Sequence, residues 1–153
     1  MAFELPIRVY WEDTDAGGIV FYANYLKFFE RARTEWLRSL GIAQSRLRED
    51  TGGMFVVSQT QVRYLHPARL DDTLRVTARL QEAGRASLVI AQQAFLCPVS
   101  PTQSTEAPTG APPCRSDGAT PLVAEGEIRI GWVDAGTLRP ARIPSIVLDA
   151  LHV

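Results

Sequence analysis

The sequence predicts an α+β protein in which one long helix packs on an antiparallel sheet. Residues 24–40 carry apolar side chains at three- and four-residue spacings, which indicates an amphipathic helix. Four later stretches are rich in Val, Ile, Leu, Thr and aromatic residues in rough alternation, which is typical of strands. Short turn sequences separate most of these stretches, and short turns favour antiparallel pairing. The broad apolar face of the helix needs a large cover, which a sheet provides.

The first predicted element is a strand near the amino-terminal end. Ile7, Val9 and Trp11 alternate with more polar neighbours, which is the period of a half-buried strand. The turn-forming run Asp13–Gly18 then breaks the pattern. We therefore expect a strand that includes Trp11 and a loop directly after it.

The long helix is predicted to start at Asn24 and to end near Gly41. Asn is a favoured N-cap residue, and glycine readily adopts the left-handed conformation that ends many helices. Arg31, Arg33 and Glu35 are expected on the solvent face of this helix or in subunit contacts. The apolar face consists of Tyr25, Phe28, Phe29, Ala32, Trp36, Leu37 and Leu40.

Most of the remaining chain is predicted to be extended. One more helical turn is expected over residues 44–48, before the strands begin. Turn-forming sequences at residues 66–69 and 82–85 separate the strands. The predicted strands cover residues 55–65, 74–81, 86–96 and 122–133.

The chain is expected to form a single domain over residues 1–153, because this length suffices for one compact core. Residues 97–121 depart from the regular pattern, since they hold six of the ten prolines together with many Ser, Thr and Gly residues. We interpret them as a flexible Pro/Ser/Thr-rich insertion between two hairpin strands. Lengthening a surface loop costs little closure entropy, so the insertion is expected to be dispensable for folding.

Composition and charge exclude several classes of protein. Sixteen Lys and Arg residues against seventeen Asp and Glu residues give a formal net charge of -1, so the basic excess of a nucleic-acid binder is missing. The first residues do not resemble a signal peptide, and no apolar run is long enough to span a bilayer. The two cysteines and two histidines have no zinc-site spacing. We expect a cytoplasmic protein with no metal, cofactor, nucleic-acid partner or transmembrane segment.

One segment, residues 11–25, concentrates the candidate chemistry. A carboxylate on a turn is followed by two glycines and then by a helix start. The first amides of a helix lack internal partners and carry a partial positive charge, so they could polarise an acyl carbonyl. A carboxylate beside that carbonyl could attack it or activate water. Asp13 and Asp15 both qualify for this role, and either could instead simply cap the turn.

The same segment resembles a known family. Residues Asp13–Leu26 (DTDAGGIVFYANYL) and Phe28–Arg33 (FFERAR) are similar to the signature of the 4-hydroxybenzoyl-CoA thioesterase family, and most of all to its YbgC-type acyl-CoA thioesterases. Weaker likenesses at Tyr64–Asp72, Ser87–Val89 and Arg139–Pro144 support the first one. The resemblance therefore covers nearly the whole chain outside the expected insertion.

This resemblance implies the hotdog fold, in which an antiparallel sheet wraps around one long central helix. It also implies a homodimer or homotetramer with active sites at the subunit interface. It places the catalytic carboxylate on Asp15, and on the backbone of Tyr22 the amide that polarises the thioester carbonyl. Gly18 is expected to let the backbone approach the substrate closely.

Two further residues enter as candidates for substrate binding. Arg85 matches a region where the family's aromatic-acyl branch contacts the nucleotide phosphates of CoA, and a guanidinium suits phosphate. Ser87 either faces the acyl pocket or is an ordinary strand serine. Many YbgC-type members have histidine at the position of Tyr22, whereas the 4-hydroxybenzoyl-CoA branch has tyrosine. The acyl group therefore stays open between short aliphatic and aromatic.

The predicted function is hydrolysis of a short-chain or aromatic acyl-CoA to a free acid and CoA. Asp15 would act as nucleophile or general base, and the helix start would hold the carbonyl oxygen. The alternative is a non-catalytic hotdog protein that binds acyl-CoA or acyl carrier protein. A hotdog hydratase is less well supported, because that chemistry usually relies on a histidine beside an acid, and no histidine lies near the signature.

Overall fold

The computed structural model describes residues 2–97 and 120–153, and it confirms the α+β class. The strands are β1 (Phe3–Arg8), β2 (Gly53–Tyr64), β3 (Thr73–Ala83), β4 (Ser87–Leu96) and β5 (Leu122–Asp134), and the α-helices are α1 (Asn24–Ser39), α2 (Gln44–Thr51) and α3 (Ser145–Ala150). Within the described ranges, the five strands pair antiparallel in one sheet, in the spatial order β1-β3-β4-β5-β2. Most of the insertion expected at residues 97–121 lies outside the described residues.

The core lies between helix α1 and one face of the sheet. Phe28 and Phe29 of α1 are fully buried, and they pack in one cluster with sheet residues such as Val76 and Ile90. Burying one such side chain contributes about 1.5–3 kcal/mol to stability. The predicted apolar face of the helix therefore does face the sheet. Gly41 adopts the expected left-handed conformation just after the helix, with a φ of 85°.

The predicted strand through Trp11 is wrong at its end. Strand β1 stops at Arg8, and Trp11–Asp13 form a short 3-10 helix in which Trp11 is 80% exposed. The Asp13 carboxylate accepts a hydrogen bond from the Tyr10 N–H at 2.8 Å, which closes this turn. Local capping by Asp13 therefore overrides the apolar alternation that predicted a longer strand.

The connection at residues 66–69 does not join neighbouring strands, although its short length predicted a hairpin. Strand β2 pairs with β5, while β3 pairs with β1 and β4. The chain thus crosses from one edge of the sheet to its other half at this connection. Residues of this connection contact the segment that carries the candidate chemistry.

Arg33 is buried, although the sequence suggested that it lies on the solvent face of the helix or in subunit contacts. Its side chain donates to Gln92 Oε1 at 2.9 Å, and Gln92 Nε2 donates in turn to the Phe29 carbonyl at 2.9 Å. Burial lowers the pKa of the Arg33 guanidinium from its usual value. The hydrogen-bonded pair Arg33 and Gln92 connects the middle of α1 to β4.

A stability test of this packing is available at Gly53, where a Cβ atom would lie 2.3 Å from the Trp132 ring. Since Trp132 is itself buried, Gly53→Ala is expected to lower the free energy of unfolding by about 1–3 kcal/mol. Gly131→Ala is the matched control, because its Cβ would have no neighbour closer than 3.8 Å. Urea unfolding measures both variants. Equal stability of Gly53→Ala and the wild type would contradict this close contact.

Candidate active site

The segment with the candidate chemistry folds into a small hairpin over residues 13–21. The Phe21 N–H donates to the Asp13 carbonyl at 3.0 Å, and the Asp15 N–H donates to the Ile19 carbonyl at 2.9 Å. Residues 15–18 form the tip, where Gly18 has a φ of 79° that favours glycine. Gly18 therefore has a conformational role in the turn, and a Cβ atom there would meet no neighbour within 4 Å.

Asp13 is a structural residue of this hairpin. Its side chain is only 5% exposed, and both of its oxygens are engaged. One accepts from the Tyr10 N–H at 2.8 Å and the other from Asn24 Nδ2 at 2.7 Å. A carboxylate held in this way is not available to a substrate. Asn24 is also not the predicted N-cap, because it is the first helical residue and its side chain bonds to Asp13.

Asp15, in contrast, is exposed at the tip of the hairpin. Its Oδ1 accepts from the Gly17 N–H at 2.8 Å. No donor within residues 2–97 and 120–153 is bonded to its other oxygen. A Cβ atom at position 17 would lie 3.2 Å from Oδ1, so glycine lets the carboxylate rest close to the backbone. Of the two acidic residues, Asp15 is therefore the one whose carboxylate is exposed.

The second candidate group is the backbone N–H of Tyr22, the residue directly after the hairpin. The turn into α1 closes when the Asn24 N–H donates to the Phe21 carbonyl at 2.8 Å. In the described part of the chain, the Tyr22 N–H donates to no acceptor. Amides at a helix start carry partial positive charge, which favours a negatively polarised oxygen. Tyr22 lies two positions before the first residue of α1 and next to its N-cap, Ala23.

The connection between β2 and β3 supports the hairpin from behind. The Val20 N–H donates to the Ala68 carbonyl at 2.8 Å, and Ile19 forms an isolated β-bridge with Arg69. Tyr25 of α1 is buried beside this connection, and burial raises its pKa to about 12, partly offset by a hydrogen bond with the Ala68 backbone. The crossing of the chain thus fixes the position of the hairpin and of the helix start.

An exposed aromatic cluster includes the side chain of Tyr22. The Tyr22 ring lies 4.8 Å from the Phe21 ring and 6.1 Å from the Tyr64 ring, measured between centroids. Phe21, Tyr22 and Tyr64 are 47%, 63% and 47% exposed, which is unusual for neighbouring large apolar rings. Sequence reasoning did not select Phe21 and Tyr64 as candidate site residues. The only signal was their place within the motifs that carry the family resemblance.

Arg85 and Ser87 do not lie beside the hairpin of the same chain. Tyr64 of β2 pairs with Ala124 of β5, and Ala124 pairs with Ala94 of β4. Ala94 lies seven residues from Ser87 along β4. At 3.3 Å per residue the separation is about 23 Å. Since Tyr64 contacts Tyr22, one chain places the two substrate-binding candidates at the opposite end of the sheet.

The Ser87 end of the sheet carries arginines of its own. Arg85 is exposed in the turn between β3 and β4, and its carbonyl accepts from the Ile143 N–H at 2.8 Å. That contact places Arg142 next to the same turn. The Arg129 side chain donates to Ser87 Oγ at 3.3 Å. Ser87 is therefore hydrogen-bonded to an arginine. Sequence reasoning missed Arg129, because it lies next to Ser87 only through the pairing of β4 with β5.

Metal-binding clusters and membrane-spanning helices are both absent from the described residues. No group of three or more His, Cys, Asp or Glu side chains that could hold a metal ion occurs within them. Within the same ranges, the helices are all too short or too polar to cross a membrane.

Comparison with known proteins assigns the family. The family model of the thioesterase-like superfamily matches residues 9–151. The acyl-CoA thioesterase YbgC of Haemophilus influenzae is 35% identical over 150 residues, which cover 98% of this chain and 94% of the relative. The acyl-CoA thioester hydrolase YbgC of Escherichia coli O6:H1 is 34% identical, with 95% of this chain and 92% of the relative covered.

The fold agrees with this assignment. The crystal structure of Slr0204, a 1,4-dihydroxy-2-naphthoyl-CoA thioesterase from Synechocystis, superposes with a TM-score of 0.77 at 16% identity. The superposition covers 99% of this chain and 96% of the other. At this identity the likeness shows the fold alone, and it confirms the hotdog architecture expected from the sequence. The chain therefore belongs to the thioesterase-like superfamily and is a hydrolase with the hotdog fold.

Proposed function

We propose that this protein hydrolyses the thioester of a short-chain or aromatic acyl-CoA to a free acid and CoA, in the cytoplasm. One observation carries the proposal: among the described residues, Asp15 at the tip of the hairpin has a carboxylate oxygen without a donor, and Tyr22 directly after the hairpin has a backbone N–H without an acceptor. The relatives named acyl-CoA thioesterases, at 34–35% identity, support the substrate class.

The reaction follows from these two groups. The thioester carbonyl oxygen accepts a hydrogen bond from the Tyr22 N–H, which stabilises the negative charge that develops on that oxygen. Asp15 then attacks the carbonyl carbon and expels the CoA thiolate, and water hydrolyses the resulting acyl-aspartyl anhydride. In the other version, Asp15 takes a proton from water, and that water attacks the carbonyl carbon. Both routes consume one water and release the acid and CoA.

The acyl group would lie among the exposed rings of Phe21, Tyr22 and Tyr64. These neighbouring rings would supply a wall for a small or flat acyl group, and they would be covered when it binds. This placement supports short-chain and aromatic acyl groups equally.

The active form is proposed to be a homodimer, or a pair of such dimers, with the site shared between subunits. Among the described strands, β2 is an edge strand of 12 residues without a proline, and its Val57 is 52% exposed. A long exposed edge of this kind is suited to pairing with another strand. Antiparallel pairing of two β2 strands around a two-fold axis brings the Gly53 end of one next to the Tyr64 end of the other.

Such a dimer supplies the missing binding residues. Ser87 is in register with Gly131 and, through it, with Val56 near the Gly53 end of β2. The Arg85 and Ser87 end of one subunit would therefore approach the Tyr22 hairpin of its partner. There Arg85 could bind the CoA phosphates through paired hydrogen bonds.

A panel of acyl-CoAs assayed for thiol release tests the proposed function. Release of CoA from at least one short-chain or aromatic acyl-CoA, with turnover, supports it. A protein that binds these esters without releasing thiol would instead be the alternative, a non-catalytic hotdog protein that binds acyl-CoA or acyl carrier protein. Hydration of an unsaturated acyl-CoA without thiol release would indicate a hydratase.

Tyr22→Phe tests whether the backbone N–H or the phenol hydroxyl of Tyr22 polarises the thioester carbonyl. The variant keeps the backbone N–H and the ring, so kcat is expected to stay within about threefold of the wild type, whereas loss of a carbonyl-polarising donor typically costs 10²–10³-fold. Steady-state kinetics on the best acyl-CoA measures the difference. A hundredfold fall in kcat would assign the donor to the phenol hydroxyl.

A further inference from the structure

We infer that the Asp13–Asn24 hydrogen bond is a positioning device, which holds the Asp15 carboxylate and the Tyr22 amide in register for the reaction. This inference rests on the proposed function, because it concerns the two groups assigned there. Neither Asp13 nor Asn24 is placed against the substrate. They would act only through the groups they position.

The Asp13–Asn24 hydrogen bond is one of four hydrogen bonds that Asp13 and Asn24 make in this buried region. The Asp13 carboxylate accepts from the Tyr10 N–H at 2.8 Å and from Asn24 Nδ2 at 2.7 Å. Its carbonyl accepts from the Phe21 N–H at 3.0 Å, and the Phe21 carbonyl accepts from the Asn24 N–H at 2.8 Å. Asp13 and Asn24 are 5% and 6% exposed, so water competes little for these bonds. One residue therefore joins the end of β1, the hairpin and the start of α1.

The places of Asp13 and Asn24 in the sequence explain why their hydrogen bond would affect catalysis. Asp15 lies two residues after Asp13, and Tyr22 lies two residues before Asn24. Any slip between residues 13 and 24 moves the carboxylate and the amide relative to each other. Reactions that depend on aligned groups lose about 100-fold for a misplacement on the order of 1 Å.

The pair can be tested by exchanging its two members. Asn24→Asp alone places two carboxylates against each other where the atoms now lie 2.7 Å apart, so kcat is expected to fall by about 10- to 100-fold. The double variant Asp13→Asn with Asn24→Asp restores one amide and one carboxylate. The amide oxygen introduced at position 13 can accept from the Tyr10 N–H, and its nitrogen can donate to the carboxylate introduced at position 24. The double variant is therefore expected to recover most of kcat.

The measurement is kcat and KM for thiol release, together with the melting temperature. We expect the loss in Asn24→Asp to fall on kcat, with KM within about threefold, and the recovery in the double variant to be on kcat as well. Val76→Ala is the control for stability, since it removes buried volume in β3 and changes none of the hydrogen bonds of Asp13 and Asn24. It should lower the melting temperature and leave kcat unchanged.

Three results would overturn the inference. The first is a normal kcat in Asn24→Asp, and the second is a double variant that regains melting temperature but not kcat. The third is a kcat that falls in Val76→Ala in proportion to its melting temperature, which would make the effect one of general stability. A wild-type protein that releases no thiol from any acyl-CoA would instead refute the proposed function, and this inference would fall with it.

Discussion

Asp15→Asn is expected to lower kcat for acyl-CoA hydrolysis by about 10²–10⁴-fold, the usual contribution of a group that transfers a proton or attacks in the reaction. Asparagine keeps the shape of the side chain and the oxygen that accepts from Gly17, so the hairpin tip should persist. It lacks the charge and basicity that either version of the mechanism requires. Binding of the CoA ester should be nearly unchanged, which equilibrium binding of a non-hydrolysable analogue would measure.

Asp13→Asn is the matched control for this prediction. The amide introduced at position 13 can still accept from the Tyr10 N–H, and a turned Asn24 amide can accept from its NH₂ group, so both hydrogen bonds of the side chain at position 13 can be kept. This variant should retain far more activity than Asp15→Asn. Nearly normal hydrolysis by Asp15→Asn, or a larger loss at Asp13, would show that the wrong carboxylate has been assigned.

Val57→Glu is expected to convert the dimer to monomers and to abolish most of the activity. Val57 is half-exposed on the β2 edge, so an isolated subunit can carry a charge there. In a two-fold pairing of β2 strands, each copy brings its own charge toward the other, and like charges facing each other across strands are destabilising. Mass measurement in dilute solution together with kinetics at the same concentration follows both effects.

Val57→Thr is the control for this change, because it keeps the β-branched shape and adds no charge. It should remain dimeric and active. A Val57→Glu protein that is monomeric and fully active would show that one subunit contains a complete site. A Val57→Glu protein that remains dimeric would place the interface elsewhere.

The secondary structure could be predicted from the sequence because it depends on local patterns. The apolar face beginning at Tyr25 and the glycine at position 41 bound helix α1 within about two residues. The strand order could not be predicted in this way. Strand β2 is followed by a short connection but pairs with β5, and this choice depends on how the sheet covers the helix.

The candidate site was predictable only in part. The local residue pattern does not distinguish Asp13 from Asp15, and the sequence favours Asp15 only through the family resemblance. The physical difference comes from the fold, because Asn24 lies 11 residues from Asp13 and binds it. The aromatic cluster also depends on the fold and not on a local sequence pattern. Tyr64 reaches Tyr22 because the chain crosses the sheet after β2, which no local pattern indicates.

A mixed dimer tests the central claim most directly, namely that Asp15 of one subunit and Arg85 of its partner serve one site. Asp15→Asn and Arg85→Glu chains with different affinity tags would be co-expressed, and the heterodimer purified and assayed at a substrate concentration below KM. In a shared arrangement the heterodimer has one native site and one doubly altered site. The heterodimer is expected to have about half of the wild-type activity per dimer, although each variant alone is nearly inactive. Activity equal to the mean of the two variant homodimers would contradict it.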